Sequence, residues 1–168
     1  KVRYIEYLKK ELNILKNHLN TNRTVTQMHF GGGTPTFFSP EQLEEVISAV
    51  KEVFPNFASD AEVSCEVDPR YFTVEHMQVL KKGGCNRLSF GVQDLDEEVQ
   101  KTIHRIQPFE LTQNVIKIAR DAGIHSVNTD LIYGLPLQTR ESFKRTLEKM
   151  LTLNTDRFAV FNYAHVPW

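Results

Sequence analysis

The stretch VTQMHFGGGTPTFFSPEQLEEVISAVKEVF, Val25 to Phe54, contains a complete strand, loop and helix. Val25 to Phe30 reads as a short strand, and it ends in Gly31-Gly32-Gly33. Ser39-Pro40-Glu41-Gln42 follows, with a serine that can cap, a proline at the first helical position and a glutamine at the third, so a helix starts there. Leu43, Val46, Ile47, Val50 and Phe54 recur at the three-and-four spacing of one helical face and form its apolar stripe.

The same unit recurs on both sides of this stretch. Upstream, Ile5, Leu8, Leu12, Leu15 and Leu19 place an apolar face on a helix that starts at the first residue with no cap and no preceding strand, so the native chain is expected to continue upstream. Downstream, Ala61 to Val67 reads as a strand, and Thr73 caps a helix running to about Lys82 that stops at Gly83-Gly84. A strand near Arg87 to Gly91 comes next, then two helices, about Asp96 to Ile103 and Leu111 to Ala122. A strand around Ser126 to Ile132 leads to a helix opened by Thr139 and carrying Phe143, Leu147 and Leu151. Phe158 to Tyr163 forms the last strand, leaving His165-Val166-Pro167-Trp168 as a cut end.

Such alternation requires parallel strands, because each strand needs a helical crossover to return to the same edge. The units are too few to close an eight-unit barrel, and no dinucleotide-type glycine fingerprint follows the first strand. The expected fold is therefore α/β, a partial, open (β/α) TIM-like barrel forming one domain over residues 1–168. Its informative residues lie where strands end and helices begin, the face on which parallel sheets bind ligands.

The totals narrow the function classes. The chain has 168 residues, 40% of them hydrophobic and 24% charged, as in a soluble one-core domain. Its 20 Lys and Arg nearly cancel 21 Asp and Glu, so no nucleic-acid or membrane partner is expected and any anion must be recognised locally. The charged first helix cannot act as a secretory signal, which makes a cytoplasmic location the default expectation. Cys65 and Cys85 are too few for a disulfide framework and wrongly spaced for a metal site, so both read as buried small apolar residues. No two of the six histidines have the spacing of a helical metal site, and none is assigned to metal.

His29-Phe30-Gly31-Gly32-Gly33-Thr34-Pro35-Thr36 is the strongest chemical signal. Backbone without side chains can approach a ligand closely and turn its amides and carbonyls toward it. A tight strand-to-helix turn would need only one or two glycines, and the loop lacks the lysine of a nucleotide triphosphate site. Glu66 falls at a strand end, where a carboxylate can accept from ribose hydroxyls or a ligand ammonium, or can serve as a cap or surface ion pair. Gln93 follows an apolar strand and either meets a ligand or braces its loop. The Arg105 fork suits a carboxylate, although a solvated surface arginine fits its position equally. Asp130 lies within the run Val-Asn-Thr-Asp-Leu-Ile, where a carboxylate is costly without a partner, and this favours a ligand role. Asp68 and Asp94 read as loop caps.

The Gly-Gly-Gly-Thr-Pro run after a strand resembles the glycine motif of the radical S-adenosylmethionine enzymes. Four further stretches, Glu66 to Arg70, Asn86 to Asp94, Asp130 to Pro136 and Phe161 to His165, look like the oxygen-independent coproporphyrinogen III oxidases of that superfamily. The resemblance spans essentially the whole chain. It implies that Gly32, Gly33, Thr34, Glu66, Gln93, Arg105, Asp130 and Ala164 contact S-adenosyl-L-methionine. In that reading the glycine loop binds the methionine amino group, and Ala164 contributes only backbone, near the adenine.

The resemblance also implies a [4Fe–4S] cluster held by three cysteines in a CxxxCxxC loop. Nothing in this chain has that spacing, so the ligands are expected just upstream of Lys1, with a substrate-covering C-terminal domain beyond Trp168. The piece alone is expected to be inactive, and a monomer. In the implied reaction, an electron from an external donor reaches the cluster and splits S-adenosylmethionine. The resulting deoxyadenosyl radical takes hydrogen from propionate β-carbons of coproporphyrinogen III. Loss of carbon dioxide and one electron, twice over, leaves the vinyl groups of protoporphyrinogen IX. Two rivals stand beside this: a haem chaperone of the same superfamily, and a flavin- or phosphate-binding barrel with no cluster.

Overall fold

The computed structural model describes residues 1–165, and residues 166–168 of the expected cut end lie outside the described residues. Strands and helices interleave as α1 (Val2–His18), β1 (Val25–Phe30), α2 (Pro40–Val53), β2 (Phe57–Val67), α3 (Val74–Lys82) and β3 (Arg87–Gln93). They continue as α4 (Glu97–Thr102), α5 (Phe109–Asp121), β4 (Ser126–Tyr133), α6 (Arg140–Leu151) and β5 (Arg157–Asn162). Short 3₁₀ turns, Pro35–Phe37 and Pro69–Tyr71, follow β1 and β2.

All five strands are parallel, and their spatial order is their chain order, β1-β2-β3-β4-β5. Sequential order without reversal is the arrangement of a barrel wall. A doubly wound sheet would reverse its order at a switch point. The expectation of an open, partial parallel barrel therefore holds.

Local chemistry explains the helix starts. Ser39 forms a full capping box with Gln42, and Thr139 forms one with Ser142. Thr73 accepts from the backbone N–H of His76, and Asp96 accepts from those of Glu98 and Val99. β1 has its expected bounds, β2, β3 and β4 run longer than their apolar patterns suggest, and β5 is shifted one residue toward the N-terminus. β2 begins at Phe57 rather than Ala61 because Phe57 pairs with Val25 before a register shift whose extra residues lie on β2, which brings the polar Ser59 and Asp60 into the strand.

The two faces of the sheet differ chemically. Met28, Val63, Cys65, Leu88, Phe90, Val127 and Leu131 join helix residues such as Met77, Leu80, Val115 and Met150 in one buried apolar core. Both cysteines are buried, and burial pushes their thiols up, Cys85 to about 11, leaving them protonated. The alternate residues are polar and stand in register on the other face: His29 pairs with Ser64, Glu66 with Ser89, and Gly91 with Asp130.

Helix α1 packs on α2, yet its apolar stripe is only partly covered. Ile5 is buried, Leu8, Leu12 and Leu15 are half-buried, and Leu19 is exposed. A groove of about 490 Å³ runs between this stripe, β1 and α2. Lys1 lies over the Phe37 ring, so α1 begins beside the loop that follows β1.

Candidate functional site

A cleft of about 200 Å³ lies at the C-terminal ends of β1 to β4. It brings together seven of the eight residues the sequence points to: Gly32, Gly33, Thr34, Glu66, Gln93, Arg105 and Asp130. Ala164, just beyond β5, is exposed and does not line this cleft. The cleft shares Gly33, Thr34 and Pro35 with the groove under α1, and Glu66, Ser89 and Asp130 with a hollow of about 300 Å³ along the polar sheet face. A separate hollow of about 490 Å³ between α4, α5 and α6 carries mixed surface charges and shares no residue with the strand ends.

The three glycines are glycine for different reasons. Gly32 has φ +93, which side-chain-bearing residues rarely adopt. Gly33 lies outside the left-handed region and has no atom within 4 Å of where a Cβ would stand. Neither torsion nor packing within the protein requires glycine at position 33, so its bareness leaves room for a group from outside. At Gly31 a Cβ would stand 2.5 Å from His29 Nε2 and 3.0 Å from Glu66 Oε1.

Glu66 reaches back across the loop, where its Oε2 accepts from the Gly32 backbone N–H at 3.2 Å. Its Oε1 lies 3.4 Å from His29 Nε2. Two strands over, the Asp130 carboxylate accepts from Ser89 Oγ at 3.0 Å on both oxygens, and from Asn128 Nδ2 at 3.0 Å. Burial raises the Asp130 carboxyl above its ordinary value, and the Glu66 charge adds to the rise against the opposing Ser89 hydrogen bond. Among the described residues, no lysine or arginine forms an ion pair with Glu66 or Asp130. The nearby Arg87 is engaged by Glu62 at 3.1 Å.

Arg105 is held differently. Its Nη1 lies 3.0 Å from Asp68 Oδ2, and its Nη2 donates to the Gly91 carbonyl at 2.7 Å. Its Nε is buried with no hydrogen-bond partner among the described residues. Asp68, read from the sequence as a loop cap, does accept from the Arg70 backbone N–H, and it also receives the Arg70 side chain at 2.7 Å. Burial raises Asp68, but the hydrogen bonds from Arg70 and the Arg105 charge outweigh it and leave the carboxyl below its ordinary value. Burial likewise lowers Arg105, against the pull of Asp68, from a value so high that it stays charged.

Gln93 sits at φ +69, where the β3 and β4 register slips between Gly91 and Gln93. A non-glycine residue in this region is strained, and such strain gathers at functional sites. Asp94 is fully buried and braces the rim: it accepts from Thr146 Oγ1 at 2.7 Å, from the Asp96 N–H at 2.7 Å and from Gln138 Nε2. Gln138 in turn accepts from the Gly134 N–H, tying the loop after β4 to the loop after β3.

Sequence reasoning passed over His29, Ser89 and the Asp68–Arg105 pairing. The signal available was strand parity: Gln27 and His29, then Glu62, Ser64 and Glu66, then Arg87 and Ser89, then Asn128 and Asp130 alternate with apolar residues along four strands. Among the described residues, no group of His, Cys, Asp and Glu can hold a metal ion, and no helix is long and apolar enough to cross a membrane.

The cleft fits a compact cationic amino-acid ligand: bare backbone at Gly32 and Gly33 beside two carboxylates with which no lysine or arginine pairs among the described residues. Comparison with known proteins gives the family. The chain is 68% identical over its full 168 residues to the oxygen-independent coproporphyrinogen III oxidase of Helicobacter pylori strain J99, and covers 37% of that protein. It is 45% identical over 165 residues to the corresponding Pseudomonas aeruginosa protein, covering 98% of this chain and 36% of that one. The structure matches Escherichia coli coproporphyrinogen III oxidase with a TM-score of 0.93 and 44% identity, over 98% of this chain and 38% of that one. The chain thus spans a little over a third of the length of these relatives. Methylornithine synthase shares the fold alone, with a TM-score of 0.65 at 19% identity. The sequence profile of the radical SAM superfamily matches residues 2–150, and the chain belongs to that superfamily.

Proposed function

We propose that this chain is the central part of the catalytic barrel of an oxygen-independent coproporphyrinogen III oxidase, and that its cleft binds S-adenosyl-L-methionine. One observation carries the reading: seven residues that the sequence points to converge on a single cleft where, among the described residues, no lysine or arginine pairs with Glu66 or Asp130 and no atom lies within 4 Å of a Cβ at Gly33. The identity to oxidases named for this reaction supports the substrate assignment.

When bound, S-adenosylmethionine and a reduced [4Fe–4S] cluster supply one-electron chemistry able to abstract a hydrogen atom from a propionate side chain. The residues of this chain place and shield that chemistry. Glu66, anchored on the Gly32 N–H, presents a carboxylate to the ligand ammonium, and the bare backbone at Gly32 and Gly33 admits the ligand closely. Asp130 accepts hydrogen bonds from ribose hydroxyls or adds a second negative charge. Gln93 offers both a donor and an acceptor at the rim. Arg105 turns toward a ligand carboxylate whichever of its N–H groups Asp68 and Gly91 leave free. Fixing the ligand in this way converts an encounter into an oriented reaction.

In this reading the chain is a single partial barrel domain. The free edge of β1 and the apolar groove under α1 receive a further parallel strand, supplied by the segment upstream of Lys1, which also carries the three cluster cysteines. The substrate is coproporphyrinogen III, and the electron comes from a separate donor. The piece alone has no activity.

The test uses the full-length protein, reconstituted anaerobically with iron and sulfide and given S-adenosylmethionine, reductant and coproporphyrinogen III. Formation of protoporphyrinogen IX with release of two carbon dioxide molecules is the expected result. Stoichiometric haem binding without decarboxylation would replace the oxidase by a haem chaperone. Retained flavin in a protein without an upstream cysteine trio would remove the radical reading altogether.

A further inference from the structure

Next to the ligand cleft, the sequence contains a histidine that neither metal chemistry nor core packing explains. His29 is the last lumen-facing residue of β1, and its side chain is 55% exposed. Its Nδ1 lies 2.8 Å from the hydroxyl of the largely buried Ser64, its partner across the β1 and β2 pairing. Its Nε2 lies 3.4 Å from Glu66 Oε1, while Glu66 Oε2 takes the Gly32 N–H.

The hydrogen-bond roles along this row follow from the groups themselves. An ionised carboxylate only accepts, so the nitrogen facing Glu66 must donate. In a neutral ring the other nitrogen then accepts, and its partner must donate, which a serine hydroxyl can do. Glu66 therefore selects the tautomer that points an N–H at it, and Ser64, whose hydroxyl can donate as well as accept, is compatible with that tautomer and holds the other side of the ring. At 3.4 Å the contact between His29 Nε2 and Glu66 Oε1 is within ion-pair distance rather than a closed hydrogen bond.

Gly31 provides independent support. Its φ is not in the left-handed region, so its torsion does not require glycine. The atoms a Cβ would meet are His29 Nε2 at 2.5 Å, His29 Cδ2 at 3.0 Å and Glu66 Oε1 at 3.0 Å, all of them from this pair. The first glycine of the triple is thus bare for the imidazole, whereas Gly33 is bare toward open space.

We propose that His29 is a positioning residue that orients the Glu66 carboxylate toward the bound ligand's ammonium group, with Ser64 holding the far side of its ring and Gly31 making room for that ring. The proposal rests on Glu66 being a ligand contact, as argued above. It adds a residue that acts through Glu66 and touches no reacting atom.

The experiment measures the dissociation constant of S-adenosylmethionine by equilibrium dialysis on the cluster-reconstituted full-length protein, with circular dichroism and cluster absorbance confirming that each variant is folded and loaded. Glu66→Gln tests the underlying reading, and unchanged affinity there would sink the cleft assignment itself. With that arm weakened as expected, His29→Ala raises the dissociation constant about tenfold, the scale of losing a hydrogen bond to a charged group. His29→Gln, which keeps an N–H near the Nε2 position, recovers affinity to within about threefold of the parent. Gly31→Ala displaces the ring and costs about as much as His29→Ala, while the double variant is no weaker than either single, because both remove the same contact. Unchanged affinity in His29→Ala, or full additivity of His29→Ala with Gly31→Ala, would overturn the proposal while leaving the cleft assignment standing. If Gly31→Ala fails to fold, the pairing of His29→Ala with Glu66→Gln decides in its place: non-additivity supports the coupling and additivity refutes it.

Discussion

Two walls of one cleft treat their carboxylates in opposite ways. At the end of β2, Asp68 is buried against two arginines and held below its ordinary value. On the sheet face, Glu66 and Asp130 have serine, asparagine, histidine and backbone donors but no cation among the described residues, and Asp130 is pushed above its ordinary value. A carboxylate matched inside the protein stabilises the fold, whereas one left short of positive charge weakens the fold slightly and has capacity for an incoming cation. The sharpest way to break this contrast is Asp68→Ala. It strands Arg70 and Arg105, both largely covered, and should cost about 3 kcal/mol in denaturant unfolding of the full-length protein, the low end for breaking a buried ion pair. Because the folded value is depressed, the stability Asp68 provides is present above the ordinary aspartate value and is lost as pH falls through the lowered one. A loss near zero would mean that the two walls do not differ.

The glycine loop carries the same contrast on a smaller scale. Gly32→Ala forces a side chain into φ +93 and should destabilise by about 1–2 kcal/mol. Gly33→Ala meets no protein atom within 4 Å and should leave unfolding unchanged, yet weaken S-adenosylmethionine binding at least tenfold by filling the ligand's space. If Gly33→Ala destabilises the fold without touching affinity, its bareness serves the protein after all. Gln93→Gly removes the strain at φ +69 and should stabilise by about 1 kcal/mol while lowering affinity, an inverse pairing of stability and binding expected of a strained functional position.

The fold was legible because strand and helix periods alternate cleanly and four of the six helix starts carry a side-chain cap, as at Ser39 and Thr139. Six of the seven cleft residues were legible because they lie on or just after strands, where topology gathers them without any knowledge of side-chain geometry, while Arg105, in the loop after α4, was pointed to by the family resemblance. The partnerships could not be read the same way. Asp68 looked like a loop cap because its contact with Arg70 is local, but its contact with Arg105 crosses 37 positions and depends on how the segment after α4 folds back. His29 looked like one of six unremarkable histidines because its meaning lies in the register that sets it opposite Ser64. Strand parity carried that information, and only the pairing of β1 with β2 turns parity into contact.

Asp130→Asn is expected to change stability little, and it separates the two walls most directly. The raised carboxyl means that the folded chain binds its proton more tightly than the unfolded chain does. Between the ordinary aspartate value and the raised one, the folded state therefore carries the extra proton, and stability falls as pH rises through that window. Asparagine removes this slope and keeps an oxygen for Ser89 and Asn128, so unfolding free energy at neutral pH should stay within about 0.5 kcal/mol of the parent or rise slightly. Affinity for S-adenosylmethionine should nevertheless fall several-fold, because a charge facing a cationic ligand is gone. Paired pH titrations of stability and of binding read both effects in one protein. A loss of stability beyond about 1 kcal/mol with affinity unchanged would place Asp130 beside Asp68 as a structural group. The anionic face of the cleft would then rest on Glu66 alone.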